Sequence, residues 1–177
     1  MDFSLTDDQK MMKETAASFV KKESPVERMR KLREDETGWD RAVWRQMGEL
    51  GWLGLPMPEA AGGFGGTMID ASIVLEQLGT TLVPEPYAAS VVLGGMAVRH
   101  AAGESAGAEL IGPMLEGQTS LALAWAERQG RYDAFDVATK AEKSGGGYAL
   151  RGEEGVGPQR ARGGPPDRQR AHLGRPA

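Results

Sequence analysis

Apolar residues recur every three or four positions through the first two thirds of the chain, which is the spacing of one helix face. Between residues 40 and 50, for example, Val43, Trp44 and Met47 share a face with Leu50. The pattern predicts six helices, over residues 6–22, 25–34, 40–50, 67–78, 86–100 and 105–115. Side chains that accept hydrogen bonds from a first helical turn predict N-caps at Thr6, Ser24, Asp40 and Ser105. At Thr6, Gln9 can reach back and complete a capping box. The chain therefore opens with an all-α region.

A helix stop and a glycine-rich loop follow the third predicted helix, and residues 51–66 read GWLGLPMPEAAGGFGG. Gly51 suits the left-handed position at a helix C-terminus. Pro56 and Pro58 disfavour another helix, so the run before the loop is predicted to be extended. The GGFGG turn could cradle a phosphate, but the Lys-Ser/Thr of a P-loop and the strand and helix of a dinucleotide motif are both missing. A structural loop is therefore favoured.

The apolar period shortens from helical to alternating after residue 119. Leu121, Leu123 and Trp125 alternate with small residues, which predicts a strand. Residues 137–143 can then pair with residues 148–151 across Ser-Gly-Gly-Gly. The second part of the chain is thus predicted to begin with β-strands.

Three regions follow from these patterns. Residues 1–118 are predicted to form a helical domain, and residues 119–152 the first strands of an incomplete β-domain. Residues 153–177 are rich in Gly, Pro and Arg and lack any alternation, which predicts a disordered tail. The expected fold class is mainly α.

Composition narrows the chemistry that the chain can carry. With no cysteine, disulfides, thiolate catalysis and cysteine metal sites are excluded, and His100 and His172 are too far apart to suggest a metal pair. The net charge is −4, and charges of both signs mix along residues 27–34, which argues against a nucleic-acid surface. No apolar run reaches the roughly 18 residues of a membrane helix, and no secretory signal opens the chain. We expect a cytoplasmic protein that binds no metal, nucleic acid or membrane.

Four stretches, in this order along the chain, resemble the N-terminal helical domain of acyl-CoA dehydrogenases and the start of their β-domain. They are the opening helix MDFSLTDDQKMMKETAASFVKK, the run LGLPMPE, the turn GGFGG and the segment LAWAERQGRYDAFDVATKAEKSGGGYALRGE. The last segment is most similar to the small-subunit type of dehydrogenase that acts on dicarboxylic esters such as pimeloyl-CoA. The resemblance covers about residues 1–154.

This resemblance implies an FAD-dependent enzyme that forms a double bond between the α- and β-carbons of an acyl-CoA thioester. It also implies an oligomer or a heteromeric dehydrogenase partner. In the family a glutamate base from the C-terminal helical domain removes the α-proton, and flavin accepts the hydride. The resemblance therefore predicts that the catalytic base lies beyond this chain.

The resemblance places candidate cofactor contacts at Trp125, Ala126 and Glu127, at the end of the family's first β-strand. Many relatives have threonine where this chain has Ala126, so the hydroxyl that faces the flavin N5 edge is replaced by a methyl group. For Glu127, structural hydrogen bonding is the expected role. Arg131 is the candidate substrate contact, because it could meet a carboxylate or a phosphate; the alternative is a surface arginine.

Two classes of function stay open at this point. The first is a subunit of an FAD-dependent acyl-CoA dehydrogenase, with this chain inactive alone. The second is a non-catalytic helical interaction module or truncated relic, whose exposed apolar faces would pack against missing domains. For residues 153–177, the composition also suggests a shifted reading frame, an expectation that the gene sequence would test.

Overall fold

The computed structural model describes residues 4–101, 104–131 and 133–152, in which helices come first and two short strands last. The α-helices are α1 (Asp7–Glu23), α2 (Val26–Leu32), α3 (Arg41–Glu49), α4 (Met68–Thr80), α5 (Met96–Ala101) and α6 (Glu104–Leu115). The strands, β1 (Lys140–Ser144) and β2 (Gly147–Arg151), pair antiparallel. The predicted class, mainly α with a small β region, is confirmed. The predicted tail over residues 153–177 lies outside the described residues.

Helices α1 and α4 lie side by side and begin at the same end of the domain. Each starts with a capping box, formed by Thr6 and Gln9 in α1, as predicted, and by Thr67 and Asp70 in α4. Gln9 also joins the two helices, because its Nε2 donates to Asp70 Oδ1 over 2.9 Å. Burial acts to raise the pKa of Asp70, but hydrogen bonds from Gln9 and Thr67 outweigh it and hold that pKa below its ordinary value.

A buried ion pair connects α2 to the starts of two later helices. The Glu85 carboxylate is completely buried, and Arg28 Nη1 lies 3.1 Å from its Oε2. Glu85 Oε1 accepts from the N–H of Asp40, which caps α3 as predicted. The predicted N-cap of α2 at Ser24 is wrong, since Pro25 occupies that position. Ser24 instead ends α1, and its buried hydroxyl accepts from the Arg28 side chain of α2 and not from a backbone N–H of the first turn.

The segment after α3 differs from the predicted extended run. Gly51 is left-handed as predicted, with a φ of 76°, but Trp52–Gly54 and Glu59–Ala61 form 3₁₀ helices. Packing explains the difference. Trp52 and Leu53 are both buried in the core, whereas an extended chain would point consecutive side chains to opposite faces.

The helix predicted over residues 86–100 forms, but its first half is a π-helix over Ala88–Gly95 that continues into α5. Small residues dominate this π-helix, and Gly95 lets Met57 approach its backbone. A Cβ at Gly95 would lie only 2.9 Å from Met57 Cε. The N-cap predicted at Ser105 is wrong, because α6 begins at Glu104 and Ser105 lies inside the helix.

One hydrophobic core lies among α1, α3, α4, the π-helix and α6. Its most buried large side chains are Trp44, Met47, Leu53, Met57, Val74, Tyr87, Ile111 and Met114. Phe19 meets Trp52 edge to face, with ring centroids 5.0 Å apart. The Tyr87 hydroxyl donates to the Trp52 carbonyl over 2.9 Å, and burial raises the pKa of Tyr87. The helical region thus has a hydrophobic core.

The β region forms only in part. Residues 121–125 do not form the predicted strand, because no ladder pairs them with another described segment. The predicted hairpin does form, with Lys143 opposite Tyr148, although its first strand begins at Lys140 and not at residue 137. Its turn residues Gly145 and Gly146 have φ of 57° and 85°, as a two-residue turn with two left-handed positions requires. Alternation alone does not make a strand, since the backbone also needs a partner.

Candidate functional site

The glycine-rich loop turns its N–H groups onto its own backbone. The five successive amides of residues 62–66 donate over 2.7–3.0 Å to the carbonyls of Glu59, Pro58, Gly54, Met57 and Leu55. The contact is close, since a Cβ at Gly63 would lie 2.3 Å from the Met57 oxygen. A phosphate cradle needs N–H groups that are free to bind the ligand. The structural-loop interpretation is therefore confirmed.

Residues 119–127 leave the helical region along a path that is held at two points. Trp44 Nε1 donates to the carbonyl of Thr119 over 3.0 Å, and the N–H of Leu121 donates to Ser90 Oγ over 2.8 Å. Both anchoring side chains are buried, Trp44 in α3 and Ser90 in the π-helix. These two contacts fix the start of the segment that carries the candidate flavin contacts.

Trp125 and Ala126 are the two candidate flavin contacts that face outward. Trp125 is 43% exposed, and Ala126 is partly exposed. A half-exposed indole offers a ring face for stacking on a planar cofactor, whereas Ala126 offers a methyl group and its backbone. These two positions fit a flavin by stacking and by main-chain contact. Their role in cofactor binding stays a prediction.

Glu127 holds the two ends of the loop over residues 127–139 together. Its Oε1 accepts from the N–H of Thr139 over 3.0 Å, and its Oε2 accepts from the N–H of Ala138 over 2.7 Å and from Gln129 Nε2 over 2.6 Å. Hydrogen bonds, first from the Thr139 side chain and then from Gln129, lower the pKa of Glu127 to about 2. A carboxylate with this pKa is a poor proton acceptor at neutral pH, which agrees with the expected structural role.

Arg131 lies exposed on the same loop, in a left-handed conformation with a φ of 50° that is uncommon for a residue with a side chain. The turn beside it is tight, since a Cβ at Gly130 would lie 2.9 Å from the Asp136 carbonyl oxygen. An open pocket of about 490 Å³ adjoins this loop and is lined by Glu127, Arg128, Gln129, Ala138 and Gly152. The structure thus places Glu127 at the pocket, while Trp125 and Arg131 are not among the lining residues.

Three residues that shape this site were missed in the sequence. Gln129 and Thr139 hold the Glu127 carboxylate, and Ser90 anchors the segment that leads to it. Gln129 could have been found from the sequence, because it lies only two residues from Glu127. Ser90 and Thr139 were not, because their partners are 31 and 12 residues away along the chain.

The described residues contain few groups that could bind a ligand or a metal ion at the candidate site. Within residues 4–101, 104–131 and 133–152, no three His, Asp or Glu side chains are grouped so that they could hold a metal ion. No helix in this part of the chain has the length and apolar character needed to cross a membrane. What the candidate site presents is the indole of Trp125, the charge of Arg131 and backbone polar groups.

These features define a class of protein: a helical region with one hydrophobic core, followed along the chain by a two-stranded antiparallel sheet. Residues 6–118 match the family described as acyl-CoA dehydrogenase, N-terminal domain. The matched residues make up more than half of the chain. The protein belongs to the acyl-CoA dehydrogenase family.

Three relatives show how far the likeness extends. Over 157 residues the chain is 31% identical to the probable acyl-CoA dehydrogenase YngJ of Bacillus subtilis, a match that covers 87% of this chain and 40% of that protein. It resembles the ChsE4-ChsE5 complex from Mycobacterium tuberculosis with 28% identity and a TM-score of 0.72, over 86% of this chain and 40% of that chain. An acyl-CoA dehydrogenase complexed with FAD from Bacillus anthracis shares the fold, with 23% identity and a TM-score of 0.74, over 85% of this chain and 26% of that chain.

The chain spans about two fifths of the length of the curated relative YngJ. The match with YngJ includes the β region, because an alignment over 87% of this chain must contain residues 119–152. The likeness therefore extends through the segment that carries Trp125, Ala126 and Glu127.

Proposed function

We propose that this chain forms the N-terminal part of an FAD-dependent acyl-CoA dehydrogenase, which introduces a double bond between the α- and β-carbons of an acyl-CoA thioester. The observation that carries the proposal is the family match over residues 6–118. The similarity to YngJ supports it, because that similarity continues through residues 119–152. The chain contributes the helical domain and the segment that leads to the flavin.

FAD supplies the hydride acceptor of this reaction when it is bound. In our proposal, Trp125 provides a ring face for the flavin and Ala126 provides backbone groups in place of the hydroxyl that many relatives have. Glu127 acts indirectly, because its carboxylate is already occupied by Gln129, Ala138 and Thr139. Its part is to keep the end of the flavin-contacting segment in place.

Arg131 is proposed as a contact for the distal carboxylate of a dicarboxylic acyl-CoA such as pimeloyl-CoA. Its guanidinium is exposed on a loop that Glu127 holds closed, and guanidinium pairs with carboxylate through two parallel hydrogen bonds. We further propose a heteromeric enzyme in the cytoplasm, in which a second subunit completes the site. The structural relative ChsE4-ChsE5, which is a complex of two proteins, supports the heteromeric arrangement.

A chimaera tests the proposed reaction. Residues 1–152 of this chain replace the aligned first part of YngJ, and unmodified YngJ is the control. We expect the chimaera to purify with FAD, visible as absorbance near ~450 nm, and to reduce a dye in the presence of an acyl-CoA thioester. A folded chimaera that lacks flavin beside flavin-loaded YngJ would contradict the proposal.

The same chimaera tests the substrate class. Pimeloyl-CoA is compared with a monocarboxylic acyl-CoA of the same chain length, before and after Arg131→Gln. Losing a charge-assisted pair should raise the KM for pimeloyl-CoA by about tenfold and leave the monocarboxylic substrate unchanged. Equal effects on the two substrates would assign Arg131 to the protein surface.

A second candidate function, a non-catalytic interaction module, is favoured by the exposed apolar side chains of the β region. Phe135 is 95% exposed, and Val137, Tyr148 and Leu150 are exposed as well. The isolated 177-residue chain distinguishes the two functions when it is purified, incubated with FAD and separated from the unbound FAD by gel filtration. Colourless protein that self-associates would support the module, whereas yellow protein that reduces dye would show that the chain acts alone.

A further inference from the structure

We infer that the π-helix over Ala88–Gly95 positions the candidate flavin-contacting segment, with Ser90 as the positioning residue and Gly94 as the space that the segment needs. The contact itself is independent of any cofactor. Its link to flavin rests on the proposed function, because it assumes that residues 125–127 meet FAD.

The π-helix holds Leu121 from two sides. Ser90 Oγ accepts the backbone N–H of Leu121 over 2.8 Å, and Ser90 is completely buried. Four residues further along, a Cβ at Gly94 would lie 2.7 Å from Leu121 Cβ and 2.9 Å from the Leu121 carbonyl carbon. The π-helix therefore contacts Leu121 in two ways. Ser90 provides a hydrogen-bond acceptor, and Gly94 leaves room for Leu121 because it has no side chain.

These contacts fix direction as well as position. Trp44 Nε1 already holds the Thr119 carbonyl over 3.0 Å, so two anchors lie two residues apart on a chain that is not helical. The two hydrogen bonds together fix the direction in which the backbone leaves the helical region. Trp125 lies only four residues beyond the second anchor, at most about 14 Å along an extended chain. A shift at Leu121 therefore moves the point from which the chain runs to Trp125.

The helix type is consistent with this role. π-helical turns are rare in proteins and occur often at functional sites, because they place side chains where a regular α-helix would not. Here the π-helix carries the small residues that the approach of Leu121 requires. The neighbouring Gly95 is also packed closely, against Met57, so the π-helix is held by the core on one side and contacts the segment on another.

Two substitutions in the full 177-residue chain, studied without FAD, test the inference. Ser90→Ala removes the acceptor, and Gly94→Ala adds a methyl group where Leu121 lies. The matched controls are Ser72→Ala, which removes another helical serine hydroxyl that bonds to backbone, and Gly79→Ala, whose Cβ would meet nothing within 4 Å.

Two measurements report on the segment. Amide hydrogen exchange follows Leu121 and its neighbours, and fluorine NMR of 5-fluorotryptophan follows the side chain of Trp125, with Trp125→Phe used to assign its resonance. We expect Ser90→Ala to speed exchange at Leu121 by about tenfold and both variants to shift the Trp125 resonance. In these two variants the amide of the buried α4 residue Val74 should keep its exchange rate. In the two controls, Leu121 should keep its exchange rate and Trp125 should keep its resonance.

Three results would overturn the inference. Exchange and resonance could stay unchanged in both variants, exchange could rise equally at Val74 and Leu121 as in general destabilisation, or the controls could produce the same shift. The proposed function is judged separately, by flavin content of the chimaera. A chimaera without FAD would remove the functional meaning of the contact and leave the exchange result standing.

Discussion

The helical region of this chain has a hydrophobic core, whereas no residue of β1 or β2 belongs to that core. In the helical region, large side chains such as Trp44, Met47 and Leu53 are almost completely buried. In the β region, Phe135 and Leu150 are exposed, although their side chains are equally apolar. The difference lies in whether other elements of the fold cover these side chains.

The hairpin shows why the difference arises. Tyr148 and Leu150 lie on one face of β2, opposite Lys143 and Ala141 of β1, while the other face carries charged residues such as Glu142. A two-stranded sheet has no second layer to cover its apolar face, whereas packed helices bury their apolar stripes against one another. The helical region can thus be complete within this chain, and the hairpin needs a further layer.

The largest expected difference in the free energy of unfolding is between substitution of a buried methionine and substitution of an exposed one. Met47→Ala should lower the free energy of unfolding by about 2–5 kcal/mol, because it leaves a cavity in the core. Met11→Ala, at a position 64% exposed, should change it by no more than about 0.5 kcal/mol. Urea unfolding followed by circular dichroism measures both. Equal losses would mean that the helical region lacks the closed core described above.

A methyl group added to a glycine tests the loop that closes the helical core. Gly63→Ala should cost about 1–3 kcal/mol, since its Cβ would lie 2.3 Å from the Met57 carbonyl oxygen and the loop must move. Gly79→Ala in α4 is the matched control, because nothing lies within 4 Å of its Cβ. There we expect a gain of about 0.5–1 kcal/mol from the higher helix propensity of alanine. Thermal unfolding of the two variants should shift in opposite directions.

Loss of the N-cap of α4 should lower the free energy of unfolding by less than the changes at Met47 and Gly63. Thr67→Ala removes the capping side chain that accepts from Ile69 N and should cost about 1 kcal/mol. Thr67→Ser keeps the hydroxyl and should restore most of the loss. If Thr67→Ser were as damaging as Thr67→Ala, the methyl group and not the cap would be the cause.

The Glu127 contacts should respond to pH without unfolding the helices. The pKa of Glu127 is about 2 in the folded chain, below an ordinary value of 4.5. Its stabilising effect is therefore complete above about pH 4.5 and is lost as the pH falls towards 2. NMR of the Ala138 and Thr139 amides from pH 6 to 2 should show the loop opening in this window. Glu127→Gln should show the opened loop at pH 6, and an unchanged loop would remove the role assigned to Glu127.

The smallest effect on stability is expected on the hairpin face. Leu150→Ser should change the free energy of unfolding by no more than about 0.5 kcal/mol, because the side chain is already exposed. It should nevertheless reduce self-association, since it removes part of an uncovered apolar surface. Sedimentation of the two forms at several concentrations measures this. A large loss of stability would mean that the hairpin face is covered within the chain.

Much of the helical region could be predicted because its signals are local. Thr6 with Gln9, Asp40 and the left-handed Gly51 each act on neighbours within a few residues, and each prediction is confirmed. The N-cap predicted at Ser24 is wrong because the Ser24 hydroxyl accepts from Arg28. Arg28 in turn pairs with the buried Glu85, which lies 57 residues away along the chain. Local patterns do not contain such partners.

The candidate site was predicted less completely. Trp125, Ala126, Glu127 and Arg131 came from a resemblance, and their roles stay predictions. The contacts that shape them were not visible in the sequence, because Ser90 and Thr139 become neighbours of this segment only when the chain folds. Likewise, residues 121–125 have the alternation of a strand but lack a paired strand among the described residues.

By itself the sequence determined the helix positions, the glycine turn, the hairpin and the family, since periodicity, caps and turn residues act over a few positions. Only the tertiary structure decided that Trp52–Gly54 would wind into a 3₁₀ helix, that residues 88–95 would be π-helical and that Glu127 would hold a loop closed. Each of these depends on contacts between residues far apart in the chain. Such contacts form when the core packs, and their energies outweigh the local preferences.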